Sequence, residues 1–123
     1  MENYGKELIL DLHDCNPKKF TRYSINKFFK SLCESIDMEA CKVSWWDYKG
    51  HPDEYEKAPP HLKGTTGVQF ISTSNITIHT LDELKRVYLN IFSCKSFPPH
   101  MVAIFCQQYF EGIIINEITI DRI

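Results

Sequence analysis

The chain has 123 residues, of which 43% are hydrophobic and 24% are charged, and its formal net charge is −2. This length predicts one domain, residues 1–123, with a single two-layer core. The weakly negative charge argues against a nucleic-acid partner, and no apolar run approaches the roughly 18 residues that cross a membrane.

Cysteine usage and the first residues indicate the compartment. The five cysteines are scattered without a C-x-x-C pair, which argues against a disulfide framework. The amino-terminal residues lack the apolar segment of a signal peptide. We therefore expect a cytoplasmic protein with reduced thiols.

The first half of the chain predicts two strands and one helix. Residues 6–13 form a short apolar run typical of a buried strand. Residues 21–37 carry apolar side chains at helical spacing, which predicts a helix with one buried face. Residues 41–48 favour a strand. The proline-rich and charged residues 50–60 are predicted to form a surface loop.

Three further strands are predicted in the second half. Residues 67–72 and 75–80 are rich in β-formers and are separated by Thr73-Ser74, which predicts a tight connection between two strands. Residues 86–94 alternate apolar and polar side chains, as a half-buried strand does.

The carboxy-terminal part adds a helix and a last strand. Two prolines suit the first turn of a helix that starts near residue 98, and residues 113–120 favour a strand. Strands before, between and after two helices predict an α+β fold: a two-layer sandwich with two helices on one face of a mainly antiparallel sheet. The other face would be exposed, so we expect a homodimer that covers it.

Three segments, residues 4–12, 66–80 and 87–94, resemble the prokaryotic single-domain S-adenosylmethionine decarboxylases. Members of that family make a pyruvoyl cofactor from an internal serine, and this group replaces pyridoxal phosphate as the electron sink. The resemblance implies a self-cleaving proenzyme. It also implies a lyase that acts on S-adenosylmethionine and supplies the aminopropyl donor for spermidine synthesis.

The resemblance assigns roles to individual side chains. Ser74 is the precursor of the pyruvoyl group, and His79 and Thr66 assist processing, with Thr66 standing where the family has a serine. Cys94 matches the proton donor of the finished enzyme, a task for which a thiol with a pKa near neutrality is well suited. Thr73 stands where the family usually has glutamate.

The residue types support the same chemistry. In a strained turn the Ser74 hydroxyl can attack the carbonyl of Thr73 and convert the amide into an ester. His79 is the candidate base for elimination of that ester, and hydrolysis would leave a pyruvoyl group at residue 74. Cleavage would give a β chain, residues 1–73, and an α chain, residues 74–123. The ketone of the pyruvoyl group could form a Schiff base with a substrate amine.

A cationic substrate favours carboxylate and aromatic neighbours. Glu7 and Asp11 on the first predicted strand are the carboxylate candidates, and Phe70 is an aromatic candidate for stacking on an adenine ring. The order of residues along the strands leaves open which carboxylate faces the site.

Two alternatives stay open, and a third, metal binding, is not favoured. The substrate of the same pyruvoyl chemistry could be a basic amino acid such as ornithine or arginine. The chain could also be a homologue that does not cleave and serves as a binding or regulatory subunit. His13 and Cys15 would place two metal ligands on one face of a strand, but no second close pair completes a tetrahedral set, so we expect no metal.

Overall fold

A computed structural model describes residues 3–123 of the chain. Within this part the chain forms six β-strands and three α-helices, with short 3-10 turns at Pro17–Lys19 and Pro60–Leu62. In chain order the elements are β1 (Gly5–His13), α1 (Arg22–Ser35), β2 (Ala40–Trp46), α2 (Pro52–Lys57), β3 (Gly64–Ile71), β4 (Ser74–Leu81), β5 (Arg86–Ser93), α3 (Pro99–Phe110) and β6 (Ile113–Arg122). No helix between residues 3 and 123 has the length and apolar character needed to cross a membrane.

The strands form one antiparallel sheet in the order β2-β3-β4-β5-β1-β6. Buried and more exposed positions alternate along β1, β4 and β5, because successive side chains of a strand point to opposite faces. The buried face packs against α1 and α3 in one hydrophobic core. The predicted α+β architecture with a mainly antiparallel sheet is confirmed.

An aromatic cluster centred on Phe28 joins α1 to α3. The Phe28 ring centroid lies 4.9 Å from that of Phe110, 5.4 Å from that of Tyr109 and 6.1 Å from that of Phe105. Phe28 and Phe110 are fully buried. Since burying one phenylalanine side chain stabilises a fold by about 1.5–3 kcal/mol, this cluster is a major part of the energy that holds the helical layer together.

The prediction of a surface loop at residues 50–60 was wrong in part, because α2 lies within it. Pro52 occupies the first turn, where its missing N–H costs nothing, and Asp53 and Glu54 follow in the turn where negative charge suits the helix dipole. The Tyr55 hydroxyl donates a hydrogen bond of 2.6 Å to Oδ2 of Asp82, which ties the short helix to the end of β4.

The sheet face opposite α1 and α3, called the open face below, carries mixed polar and apolar side chains. The cross-strand register arranges them in rows. The row nearest the β3–β4 turn consists of Glu7, Phe92, Asn75 and Phe70. A second row, four residues further along each strand, consists of Asp11, Tyr88, His79 and Thr66.

Candidate active site

The bond between Thr73 and Ser74 joins a tight turn to a strand. Ile71 pairs with Ser74 across the hairpin, so the turn consists of Ser72 and Thr73, and Ser74 is the first residue of β4. The connection therefore lies one residue earlier than the predicted Thr73-Ser74. Thr73 has a φ of +54°, a conformation that is strained for a β-branched residue.

Ser74 and Cys94 meet where β4 begins and β5 has ended. The backbone N–H of Cys94 donates to Oγ of Ser74 over 3.1 Å, and the Ser74 hydroxyl lies 3.6 Å from the Cys94 sulfur. Oγ1 of Thr73 lies 3.0 Å from the same sulfur. The Ser74 side chain is buried, whereas Cys94 is half-buried and Thr73 is exposed. The structure thus brings three of the predicted site residues together.

These neighbours alter the acidity of the Cys94 thiol. Hydrogen bonds from the hydroxyl groups of Thr73 and then Ser74 favour the thiolate and hold the pKa of Cys94 below its ordinary value. Burial instead raises the pKa of Cys15 and of Cys33 to about 11. Burial also raises the pKa of Cys106, so Cys94 is chemically unlike these three core thiols.

A shallow depression of about 280 Å³ surrounds this group. Met38 and Ile71 supply apolar walls, and Lys95 forms an ion pair of 3.0 Å with Oδ2 of Asp37. Glu39 is a further charged residue in its lining. The depression can therefore accept a small polar group beside the Thr73-Ser74 bond.

His79 and Thr66 form a separate pair on the open face. Nδ1 of His79 lies 2.9 Å from Oγ1 of Thr66. His79 follows Ser74 by five residues on the same strand, which corresponds to about 17 Å at the rise of an antiparallel strand. The odd number of residues also directs the two side chains to opposite faces. Within one chain, the structure keeps His79 away from Ser74.

The three predicted substrate-binding residues all lie on the open face. Glu7 accepts hydrogen bonds from Nδ2 of Asn90 (3.0 Å) and from Nη1 of Arg122 (2.7 Å). Phe70 is 45% exposed and shares with Glu7 the row nearest Ser74. Asp11 belongs instead to the row of His79.

Tyr4 is a site residue that the sequence reasoning missed. Its ring stacks on Phe92 with centroids 6.3 Å apart, and its hydroxyl is one of the groups that favour the Cys94 thiolate. The neighbouring Gly5 holds this segment close to Cys94, because a Cβ at residue 5 would collide with the carbonyl oxygen of Ser93. The Tyr-Gly pair at the start of the first strand is the sequence signal that could have indicated this proximity.

The proposed metal-ligand pair takes part in the fold. Cys15 is buried, and its thiol points to the carbonyl oxygen of His13 at 3.8 Å. Among residues 3–123, no group of three or more His, Cys, Asp or Glu side chains is arranged to hold a metal ion.

A larger depression, of about 680 Å³, lies elsewhere, between the start of α1 and the segment around α2. Arg22 and Asp47 form a bidentate ion pair in its lining, with N–O distances of 2.6 and 2.8 Å. That pairing lowers the pKa of Asp47. The lining contains none of the predicted catalytic or substrate-binding residues.

Known proteins match nearly the whole chain. The profile of the S-adenosylmethionine decarboxylase family matches residues 6–122. The chain is 29% identical over 126 residues to the S-adenosylmethionine decarboxylase proenzyme of Clostridium botulinum (strain Hall). This alignment covers 100% of this chain and 95% of the relative. It is 30% identical over 124 residues to the proenzyme of the same name from Methanococcus maripaludis (strain C5), in an alignment that covers 99% of this chain and 92% of the relative.

The fold is also that of a solved structure. The crystal structure of the adenosylmethionine decarboxylase from Aquifex aeolicus VF5 superposes with a TM-score of 0.77, covering 99% of this chain and 92% of that chain, at 16% identity. Because the family profile spans almost the entire sequence, the protein belongs to the S-adenosylmethionine decarboxylase family of carboxy-lyases.

Proposed function

We propose that the protein cleaves itself before Ser74 and uses the resulting pyruvoyl group to decarboxylate S-adenosylmethionine. The observation that carries the proposal is the Thr73-Ser74 bond, which joins a strained residue to a buried serine beside Cys94. The names of the relatives, which are proenzymes of S-adenosylmethionine decarboxylase, support the substrate. The product would supply the aminopropyl donor for spermidine synthesis.

The residues around the bond fit the formation of such a group. Thr73 at positive φ stores strain that breaking its peptide bond relieves. The Cys94 N–H donates to Oγ of Ser74, which fixes the hydroxyl oxygen at the start of β4. A depression beside the bond leaves room for a small polar group of a substrate.

When formed, a pyruvoyl group supplies an electrophilic carbonyl that withdraws electrons from a substrate and so allows carbon dioxide to leave. Cys94 holds the proton that the product carbon requires, and its position beside Ser74 supports that role. Glu7 and Phe70, in the nearest row of the open face, are suited to the cationic sulfonium and the adenine ring. Asp11 lies in the row of His79.

The distance between Ser74 and His79 supports a homodimer. Two copies that pack their open faces together would let the Thr66–His79 pair of one copy approach the main chain at the Thr73-Ser74 bond of the other, at the start of β4. The open face is suited to such packing, because it exposes Phe70, Ile118 and Ile120 by 45%, 50% and 42%. In this arrangement each site uses side chains from both copies.

A basic amino acid is the alternative substrate, and a non-cleaving binding subunit is the alternative role. The relatives' names favour S-adenosylmethionine over ornithine or arginine. Release of carbon dioxide from each of the three carboxyl-labelled compounds separates these functions. We expect release from S-adenosylmethionine by the parent protein and none by Ser74→Ala, with Ser72→Ala, a change in the same turn, as the active control. Release from ornithine or arginine alone would reverse the assignment.

A further inference from the structure

Cleavage of the Thr73-Ser74 bond changes the groups that surround Cys94. In the ester the Ser74 oxygen bonds to the carbonyl carbon of Thr73, and the former amide nitrogen becomes the free amine of residue 74. Elimination removes the α-proton of residue 74 and breaks the bond between its Cβ and that oxygen. The oxygen leaves with the acyl group, so Thr73 ends in a carboxylate. Water then releases the nitrogen as ammonia.

The reaction removes one hydroxyl neighbour of the Cys94 sulfur and leaves the other, on Thr73, beside a new main-chain carboxylate. Before cleavage, the Ser74 hydroxyl lies 3.6 Å from the sulfur and the Thr73 hydroxyl lies 3.0 Å from it. After cleavage, the Ser74 hydroxyl no longer exists, because its oxygen belongs to the new carboxylate. A donor that favoured the thiolate is replaced by a negative charge on the adjacent residue, and a nearby negative charge disfavours a thiolate.

Other charged or titratable groups belong to three neighbouring segments: one of them acts on the Cys94 thiol, and the others line the same depression. They are Tyr4 before β1, Asp37 and Glu39 between α1 and β2, and Lys95 next in the chain. Lys95 is the cation among these, and its ammonium group is already paired with Asp37 at 3.0 Å. The lining of this depression thus holds more acidic than basic side chains, and the new carboxylate of Thr73 would add a further negative charge.

We propose that cleavage converts Cys94 from a thiol that gives up its proton readily into one that retains it, with Thr73 as the positioning residue. The inference rests on the proposed self-cleavage. As a consequence of this change, the Cys94 thiol becomes protonated at the step that creates the active site. Because the side chain of Thr73 is neutral, the main-chain carboxylate is the one charge that this residue adds after cleavage.

The rate of alkylation of Cys94 by iodoacetamide as a function of pH tests the inference, because the thiolate is the reactive form. Mass spectrometry of a partly processed sample reports uncleaved chain and the fragment of residues 74–123 under identical conditions. The Cys41→Ser background removes an exposed thiol, and Cys15, Cys33 and Cys106 are buried. Ser74→Ala provides a reference that stays uncleaved.

We expect the apparent pKa of Cys94 to be higher in the 74–123 fragment than in uncleaved chain, by about one unit or more. In Ser74→Ala it should not change during incubation. An equal or lower pKa in the fragment would overturn the inference and leave the proposed function intact. A sample that never cleaves would show one mass from the start; the proposed function would then fail, and the inference with it.

Discussion

Nδ1 of His79 lies 2.9 Å from the Thr66 hydroxyl, on the sheet face opposite the helices. Ser74, five residues earlier on β4, is about 17 Å away at the usual strand rise. If both groups act in processing, the serine of one copy must meet the histidine of another. Under the proposed function, the separation of Ser74 from the Thr66–His79 pair makes dimerisation a condition for cleavage.

Co-expression of two inactive variants tests this condition. Ser74→Ala lacks the serine, and His79→Ala lacks the histidine, so each alone should remain uncleaved. In a mixed dimer, the Ser74→Ala copy supplies His79 to the intact serine of the other copy. We expect roughly half of the His79→Ala chains to be cleaved when the two variants pair at random. Differently tagged chains and intact-mass measurement identify which variant has been cut.

Failure of the mixed sample to cleave, while the parent cleaves under the same conditions, would contradict the exchange of residues between copies. Efficient cleavage of His79→Ala on its own would remove His79 from processing. Thr66→Ser is the matched control for the partner of His79. It keeps a hydroxyl at the position that lies 2.9 Å from Nδ1 and should cleave as the parent does.

Cys94→Ala separates processing from turnover. Because Cys94 is proposed to supply a proton after cleavage, the variant should still split largely as the parent does. Its decarboxylation rate should fall by about 10²- to 10⁴-fold, the usual contribution of a positioned acid. Cys41→Ser, a change at an exposed cysteine, is the control and should keep full turnover. Equal turnover in Cys94→Ala and parent would remove Cys94 from the role of proton donor.

Most of the fold could be predicted from the sequence, because the strands and the two long helices have clear hydrophobic periodicity. The short helix α2 escaped prediction, since its six residues bury no side chain fully and its stability depends on Pro52 and the Tyr55–Asp82 contact. That contact joins residues 27 apart in the sequence. Patterns within a short window do not contain such information.

Phe28→Ala tests the packing of the helical layer. The ring is fully buried and contacts aromatic side chains of both long helices, so its loss should lower the free energy of unfolding by about 3–5 kcal/mol. Urea unfolding at pH 7 measures the change. Tyr23→Ala on the exposed side of α1, where the side chain is 74% exposed, should stay within about 0.5 kcal/mol. Similar small effects at both positions would contradict the described core.

The Arg22–Asp47 pair predicts a specific dependence of stability on pH. The hydrogen bonds from Arg22 hold the pKa of Asp47 below its ordinary value of 3.8 in the folded state. The stabilisation is therefore fully present above that value and is lost as the pH falls through the lower, folded pKa. Urea unfolding of parent and Asp47→Asn should show a gap at pH 6 that shrinks below about pH 3.8. A gap that stays constant down to pH 3 would contradict this account.

The candidate site was harder to predict than the fold. Ser74 precedes one predicted strand and Cys94 ends the next, and the structure brings their side chains within 3.6 Å. His79 is closer to Ser74 in the sequence, yet strand geometry moves it along the sheet and onto the other face. The proximity of Tyr4 to Cys94 depends on the β1–β5 pairing, which joins distant parts of the chain. Spacing alone does not reveal either relationship.

The intact mass of freshly purified protein, followed during incubation, tests the central claim most directly. We predict two fragments, one that ends at Thr73 and one that begins at residue 74. The second fragment should be lighter by one ammonia than the same fragment with an amino-terminal serine. Ser74→Ala should remain a single chain, and Ser72→Ala should split as the parent does. A parent protein that stays whole after long incubation, or a fragment that begins with ordinary serine, would contradict the formation of a pyruvoyl group.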